Sequence, residues 1–362
     1  PDWSDPLNWV GGTAPVPGDN LVFGSLGITN GATEPVNDLT PDMYFGSITF
    51  NAGGGYTLSG NAILLNSVSG GQILNNTAGG NTISLRVDTI NYAQAILASS
   101  GTLNINQPVV LQTGGDLMTG GDGDVNYGVT GTIDGSQSLT LGGGAGNVAF
   151  NAPVGGTTPL TSVTTGTSGS FTFASTITTT GPQIYNEPGT LGADTTLVST
   201  GTDADGNITL NGTLDGGFNL TVNTAGTTAF NAAVGGLAPL ASVSTDTAGS
   251  TTFGGPSITT TGSQTYNDPV TLNADTLLAS TASGNIALAN TVDGGFALTV
   301  NTAGVSMAES IPVLVRGAAP FLGRPMSEAA MLNAPVHRGA QVDIGPVEVV
   351  PEPAPAPAPE RK

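Results

Sequence analysis

The sequence predicts an all-β fold in which a parallel β-helix, or β-solenoid, forms most of the chain. Three observations predict it: long phrases that recur in the same order along the chain, short runs in which Val, Ile, Leu and Thr alternate with polar residues, and no segment with sustained helical periodicity. Alternation with a period of two is typical of strands that are buried on one face. Repetition over tens of residues indicates stacked copies of one structural unit.

The internal repeat is clearest between residues 131 and 304. A Thr-x-Asp-Gly phrase occurs at 132–135, 213–216 and 291–294, so one copy takes about 80 residues. Other phrases recur between these in the same order, which gives two full copies and a truncated third. The matching pairs are 151–156 and 231–236, 177–181 and 258–262, 185–188 and 266–269, and 206–208 and 284–286.

Each copy is too long for one turn of a solenoid and divides into about four pieces of about 20 residues. Each piece holds one or two strand-like runs, such as 220–222 and 251–253, that end at Gly, Asn or Asp. Inward Val, Ile, Leu and Phe would form the core, and outward Thr, Ser and Asn would form ladders. An antiparallel sandwich array, with one domain per copy, also fits the turn spacing. Aromatic residues make up only 5% of the chain, which favours the solenoid.

The solenoid prediction divides the chain into five parts. Residues 1–50 form an N-terminal cap and the first coils, 51–130 irregular coils, and 131–304 the coils with the long repeat. Residues 305–350 form a C-terminal cap, which includes the one short helix expected, at 327–332, and the single His337. Residues 351–362 form a Pro/Ala-rich tail with polyproline II geometry. Aromatic side chains of the first part, Trp3, Trp9 and Phe23, are expected to cover the open end of the core.

Composition excludes several classes of site. Because the chain has no Cys and one His, it cannot form disulfides, thiolate sites or multi-His metal centres. The formal net charge of −20 leaves no basic surface to neutralise phosphates, which argues against nucleic acids and anionic membranes as partners. No apolar run approaches the roughly 20 residues that span a bilayer, so no membrane span is expected.

The sequence offers no clear catalytic constellation. No Lys, Arg or His occurs between Val87 and Val315, so a polysaccharide lyase would lack both a base and cations there. Paired carboxylates can hydrolyse glycosides. However, Asp134, Asp215 and Asp293 occupy the same turn of each copy, which indicates a role in the turn. The sequence therefore predicts no catalytic residue.

Two loops have a spacing typical of calcium ligands. Asp203, Asp205 and Asn207 stand at alternate positions of one loop, and Asp122 and Asp124 do so in another. Oxygen ligands in this arrangement suit Ca²⁺. The first loop lacks the distal Glu of an EF-hand, and the second departs by one residue from the Gly-Gly-x-Gly-x-Asp repeat. A solvated turn is the alternative at both loops, and no other cofactor is expected.

Several phrases resemble those of known surface proteins. Residues 257–270 and 298–304 resemble the β-strand repeats of filamentous-haemagglutinin-like proteins and autotransporter passengers. Residues 3–23, which include both Trp residues, resemble the opening of autotransporter-associated β-strand repeat proteins. Residues 338–348 resemble the closing phrase of right-handed parallel β-helix proteins of bacterial surfaces. The resemblance implies a right-handed solenoid, a bacterial surface location and a cap role for Asp343.

These observations predict a non-catalytic, extracellular or surface-displayed protein, a stiff rod with a structural or adhesive role. Its partners would be further copies of itself, in a fibre or a surface layer, or a glycan or protein on a host or cell surface. The alternative function is that of a carbohydrate-active β-helix enzyme or a polysaccharide-binding module.

Overall fold

A computed structural model describes residues 1–24, 34–51, 54–67, 71–142 and 144–308, together with the strand Val342–Ile344. The described chain forms a β-solenoid of about 12 turns, as the sequence predicts. It holds 38 short strands, numbered β1 to β38 in chain order, and two 3-10 helices, Pro6–Asn8 and Asp203–Gly206. Almost no helix is present in these residues, which also matches the prediction. Each turn adds one strand to each of three faces, except at Val154 and Val234, where an isolated bridge takes the place of a strand.

The first face is one unbroken sheet of 13 parallel strands, which are β1 (Asn20–Phe23), β4 (Ser47–Phe50), β7 (Gln72–Asn75), β10 (Gln94–Ala98), β13 (Leu117–Gly120), β16 (Ser138–Leu141), β18 (Ser162–Thr165), β21 (Gln183–Tyr185), β24 (Ile208–Leu210), β27 (Thr227–Phe230), β29 (Ser250–Phe253), β32 (Val270–Leu272) and β35 (Val292–Gly294). The length of chain in one turn varies along this sheet. Register partners are as distant in sequence as Asn20 and Ser47, and as close as Thr251 and Val270.

The second face consists of nine strands and then four, joined by isolated bridges through Val234. The nine are β2 (Val36–Asn37), β5 (Thr57–Gly60), β8 (Asn81–Ser84), β11 (Thr102–Ile105), β14 (Asp124–Tyr127), β17 (Asn147–Phe150), β19 (Ser170–Phe173), β22 (Gly189–Leu191) and β25 (Leu214–Asp215). The four are β30 (Ser257–Thr260), β33 (Thr276–Ser280), β36 (Leu298–Thr302) and β38 (Val342–Ile344). All these pairs are parallel except β36 with β38, which is antiparallel.

The third face consists of five strands and then seven, joined by bridges through Val154. The five are β3 (Met43–Phe45), β6 (Ile63–Leu65), β9 (Val87–Thr89), β12 (Val109–Leu111) and β15 (Ile133–Asp134). The seven are β20 (Thr176–Thr179), β23 (Thr195–Thr202), β26 (Asn219–Ala225), β28 (Ser242–Thr245), β31 (Gln264–Tyr266), β34 (Ile286–Leu288) and β37 (Ser306–Ala308). Because the sheets of all three faces are parallel along the repeats, the antiparallel sandwich array is excluded there.

Alternation along each strand builds the core. In β26, Leu220 and Val222 are buried while Thr221 and Asn223 are partly exposed, and the same pattern recurs in most strands. Parallel, in-register pairing places each inward side chain above its counterpart one turn earlier, as with Leu220 and Val243. The inward residues therefore form continuous apolar columns along the axis, and their burial supplies the main stabilisation of the fold.

The long repeat does not contain a whole number of turns. Counting strand positions from β15 to β25, with the Val154 bridge as one position, gives 11 steps, and β25 to β35 gives 11 again with the Val234 bridge. At three positions per turn, one repeat spans three and two-thirds turns. Equivalent residues Ile133, Leu214 and Val292 consequently lie on the third, second and first faces. Each repeat presents the same sequence on a different side of the rod.

The C-terminal predictions fall mostly outside the described residues. The cap expected at 305–350 is described only for 305–308 and for β38, and the helix expected at 327–332, His337 and the tail 351–362 lie outside. β38 contains Asp343, whose Cα pairs with Thr299 of β36. The residue expected in the cap thus belongs to a short strand that pairs with β36 at the end of the second face.

Candidate functional surfaces

The repeated Asp of the Thr-x-Asp-Gly phrase lies beneath a loop of the following turn. One carboxylate oxygen of Asp134 accepts hydrogen bonds from the backbone amides of Thr157 and Thr158, at 2.7 and 3.2 Å. Asp215 accepts in the same way from Leu237 and Ala238, at 2.8 and 3.0 Å. These bonds satisfy loop amides that have no partner in a sheet. Asp134 and Asp215 therefore perform the turn role that their repetition predicts.

The loops bound by these carboxylates, 155–159 and 235–239, replace a regular strand. In each loop the chain makes single bridges before and after it, at Val154 and Leu160 in the first copy. Leu237 at the tip of the second loop is 93% exposed, and the ring of Phe218 is also exposed. Sequence reasoning missed these loops, although the recurring phrases at 151–156 and 231–236 mark them. They project from the third and second faces, so they point in different directions.

Other exposed carboxylates join one turn to the next. Asp116, Asp194 and Asp275 each accept a hydrogen bond from a backbone amide of the following turn, at 2.8 to 3.0 Å. The bonds that Asn219 donates to Asp194 lower the pKa of this carboxyl below its usual value. Acidic side chains are therefore part of the ladder that holds the solenoid together, which gives the acidic composition a structural role.

The first pair of candidate calcium ligands belongs to this ladder. Asp122 and Asp124 lie at the corner between the first and second faces, where both are exposed. A carboxylate oxygen of Asp122 accepts from the amide of Ala145 at 3.2 Å, and one of Asp124 accepts from the amide of Asn147 at 2.9 Å. Each side chain is thus directed toward the backbone of the next turn.

The second group of candidate ligands spans the short 3-10 helix Asp203–Gly206. Asp203 and Asp205 are exposed on it, and Asp203 has a positive φ of 51°. The Asn207 side-chain oxygen accepts from the amide of Thr227 at 2.8 Å, so it also serves the ladder. Within the described residues, no group of three or more His, Cys, Asp or Glu is arranged to hold a metal ion. Calcium binding at either loop stays a prediction.

Aromatic side chains close the N-terminal end of the core. Trp3 is 1% exposed and meets Trp9 edge to face, with ring centroids 6.2 Å apart. Its ring also packs against Phe23 and Phe45, at 5.9 and 5.7 Å. The indole N–H of Trp9 donates to the carbonyl of Trp3 at 2.9 Å. These rings shield the first turn from water, which is the position that a cap requires.

A buried polar motif recurs within the core. Gln183 donates to the Thr179 hydroxyl and to the Val198 carbonyl, at 3.1 and 2.8 Å, and accepts from the Tyr185 hydroxyl at 2.7 Å. Gln264 repeats this pattern with Thr260, Ala279 and Tyr266, rotated to the next face. Burial raises the pKa of Tyr185 and Tyr266 well above the usual value. The repeated Gln-x-Tyr-Asn phrase is the sequence signal for this motif.

The described chain holds one ion pair. Arg86 and Asp88 form a bidentate contact, with N–O distances of 2.7 and 2.6 Å, and Gln112 donates to the same carboxylate at 2.6 Å. The Arg86 side chain is half exposed, whereas Asp88 is buried on the outer side of the third face. Asp88 of β9 thus accepts from Arg86 in its own turn and from Gln112, which follows β12 in the next turn, so it links the two turns.

Comparison with known proteins finds no matching family model, no matching curated protein and no matching solved structure. The solenoid of repeated turns is consistent with a β-strand repeat protein. None of the helices in the described residues has the length and apolar character needed to cross a membrane.

Proposed function

We propose that the protein is a non-catalytic, extracellular rod with a structural or adhesive role at a bacterial cell surface, related to filamentous-haemagglutinin-like and autotransporter-associated repeat proteins. About 12 turns at about 4.8 Å per strand spacing give a rod about 60 Å long. Continuous parallel ladders on three faces make such a rod resistant to bending and to local opening, because each strand within the stack is paired on both sides.

The use of the polar side chains carries this proposal. Many exposed Asp, Asn, Ser and Thr side chains that could build a reactive site instead bond to the adjacent turn. Asn186, Asn211 and Asn231 form one such ladder. The side-chain amides of Asn211 and Asn231 each donate to the Asn side-chain oxygen one turn earlier at 2.8 Å, and that of Asn186 donates to the backbone carbonyl of Thr165 at 2.7 Å. Because the polar side chains of the surface stabilise the stack of turns, they support a role for the protein as a structural rod.

Two forms of this role are distinct. In one, the rod carries a binding surface for a glycan or a protein on another cell. In the other, copies of the chain associate into a fibre or a layer. The loops 155–159 and 235–239 support contacts on more than one side of the rod, because they project from different faces.

Electron microscopy of the purified full chain tests the proposal. Filaments or two-dimensional arrays would support the assembling form, and single rods about 6 nm long would support the adhesive form. Compact particles without a long axis would contradict both. A parallel assay for sugar release from acidic and neutral polysaccharides tests the absence of catalysis, and turnover abolished by a point substitution on the solenoid would overturn that part of the proposal.

A further inference from the structure

The two full repeats differ in a coordinated way around one corner. At three positions the second copy differs from the first: a glycine is replaced by Asp, a Phe by Thr, and a Glu by the shorter Asp. The paired positions are Gly166 and Asp246, Phe171 and Thr251, and Glu187 and Asp268. In the second copy these residues lie together with Thr245 at the corner between the third and first faces. We name Thr245, Asp246, Thr251 and Asp268 the acidic corner.

Asp268 is the centre of the acidic corner. It lies in the turn between β31 and β32, and its side chain is 1% exposed. The hydroxyl of Thr245 contacts one carboxylate oxygen at 2.8 Å, and the hydroxyl of Thr251 lies 2.9 Å from both oxygens. Thr245 ends β28 and Thr251 lies in β29, one turn earlier. Asp268 therefore joins the two strands on either side of the corner beneath it.

Asp246 extends the acidic corner to a third turn. It lies between β28 and β29, and its carboxylate accepts from the amide of Thr224 in β26 at 3.3 Å. Asp246 and Asp268 are thus in neighbouring turns, where strands are about 4.8 Å apart. Each carboxylate holds the backbone or the hydroxyls of the turn below it.

Among the described residues, no cationic side chain lies near these two carboxylates, since the chain has no Lys, Arg or His between Val87 and Val315. The other titratable group nearby, Tyr266 of β31, is neutral, and its hydroxyl donates a hydrogen bond to the side-chain oxygen of Gln264. Burial raises the pKa of Asp268 and of Asp246, and the charge of Asp246 raises that of Asp268 further. The hydroxyls of Thr245 and Thr251 donate to the Asp268 carboxylate and lower its pKa, but burial is the larger effect, so the protonated form of Asp268 is favoured compared with an exposed carboxyl.

We propose that the acidic corner is a pH-dependent lock between three successive turns, tight when Asp268 is protonated and weakened when both carboxylates are ionised. The sign follows from proton linkage: the folded state binds a proton more tightly than the unfolded chain. The stabilisation is therefore fully present at low pH and is lost as pH rises through the raised pKa of Asp268. This inference concerns the stability of the rod and does not depend on what the rod binds.

The first copy has no full equivalent of the acidic corner. Glu187 is also buried, and burial raises its pKa, but it accepts from the amide of Gly166 and has no carboxylate in the position of Asp246. Phe171 stands where the second copy has a hydroxyl. The pH response is therefore concentrated in the second repeat, and Glu187→Gln is expected to change it less than Asp268→Asn does.

The test compares the melting temperature of the full chain with that of Asp268→Asn from roughly pH 4 to pH 8. The variant should melt on the order of 3 °C higher than the wild type near neutral pH, and the two curves should converge at the acidic end. Asp275→Asn is the matched control, because it removes the same charge from an exposed carboxylate that caps Ala297, and it should not raise the melting temperature. Parallel curves for wild type and Asp268→Asn would overturn the proposal.

A second variant keeps the test decisive if Asp268→Asn folds poorly. Asp246→Asn removes the neighbouring like charge, so the loss of stability with rising pH should become smaller and be complete at a lower pH. Hydrogen exchange of the wild-type segment 242–270, corrected for the intrinsic pH dependence of exchange, should show stronger protection at the acidic end. Equal protection across the range, or an Asp246→Asn profile that matches the wild type, would contradict the lock.

Discussion

Phe171 and Gly189 pair a large side chain with a residue that has none. The equivalent pair in the second repeat has a smaller residue in place of the Phe and a larger one in place of the Gly. They are register partners on β19 and β22, and a Cβ on Gly189 would lie 2.2 Å from Cε2 and Cζ of the Phe171 ring. At the equivalent position of the second repeat, Thr251 pairs with Val270. The space that a large ring fills in one copy is thus filled from the neighbouring strand in the other.

This exchange predicts strong coupling between two substitutions. Gly189→Val alone forces the new side chain into the Phe171 ring and should cost at least about 1–3 kcal/mol, the usual range for overpacking. Phe171→Thr alone leaves a void and should cost about 3–5 kcal/mol, as for other truncations of buried Phe. The double variant recreates the pair found in the second repeat, so its cost should fall short of the sum by about 1–3 kcal/mol.

Urea unfolding of the four proteins, followed by far-ultraviolet circular dichroism, measures the three free-energy changes. The control replaces Phe173, the other inward ring of β19, whose register partner is Leu191. Phe173→Thr combined with Gly189→Val should show weaker coupling. Costs for Phe171→Thr and Gly189→Val that add to within about 0.5 kcal/mol would refute the packing argument.

Three further outcomes follow from the same structure. Val222→Ala should lower the free energy of unfolding by about 1–3 kcal/mol, because Val222 is fully buried. Thr221→Ala, on the outer side of the same strand, should change it by less than about 0.5 kcal/mol, and equal effects would contradict the assignment of inward and outward residues. The lowered pKa of Asp194 means that its contribution is present at neutral pH and is lost as pH falls, so Asp194→Asn should be less stable than wild type near neutral pH and similar to it in acid, the opposite sign to Asp268→Asn. The melting temperature should rise with NaCl across roughly 10–300 mM, because screening relieves repulsion in a chain of net charge −20, and a flat or falling profile would contradict this account.

Local patterns were sufficient to predict the solenoid. The period-two alternation in phrases such as 220–222 determines which side chains face inward, and the long repeat indicates stacking. The sequence patterns could not predict how many turns one repeat spans. Turns differ in length along the first face, and only the strand pairing shows that a repeat spans 11 strand positions.

The site-level features divide in the same way. The turn role of Asp134 and Asp215 could be predicted, because repetition at one place in each copy indicates structure. The partners of these carboxylates could not, since they are amides of the next turn and therefore distant in sequence. The acidic corner was also missed, because Thr245, Thr251 and Asp268 meet only after the register of two neighbouring turns is known.

Parallel, in-register stacking of successive turns is the central claim, and disulfide formation between engineered Cys residues tests it most directly. The chain has no Cys, so each double variant contains one pair alone. Thr140 and Thr164 are outward-facing register partners on the first face, at a strand spacing of about 4.8 Å, within the range that a disulfide bridges. Thr140→Cys with Thr164→Cys should therefore oxidise to an intramolecular disulfide, whereas Thr140→Cys with Thr172→Cys, which lies on the second face, should stay reduced. Efficient closure of the second pair without the first would contradict the solenoid.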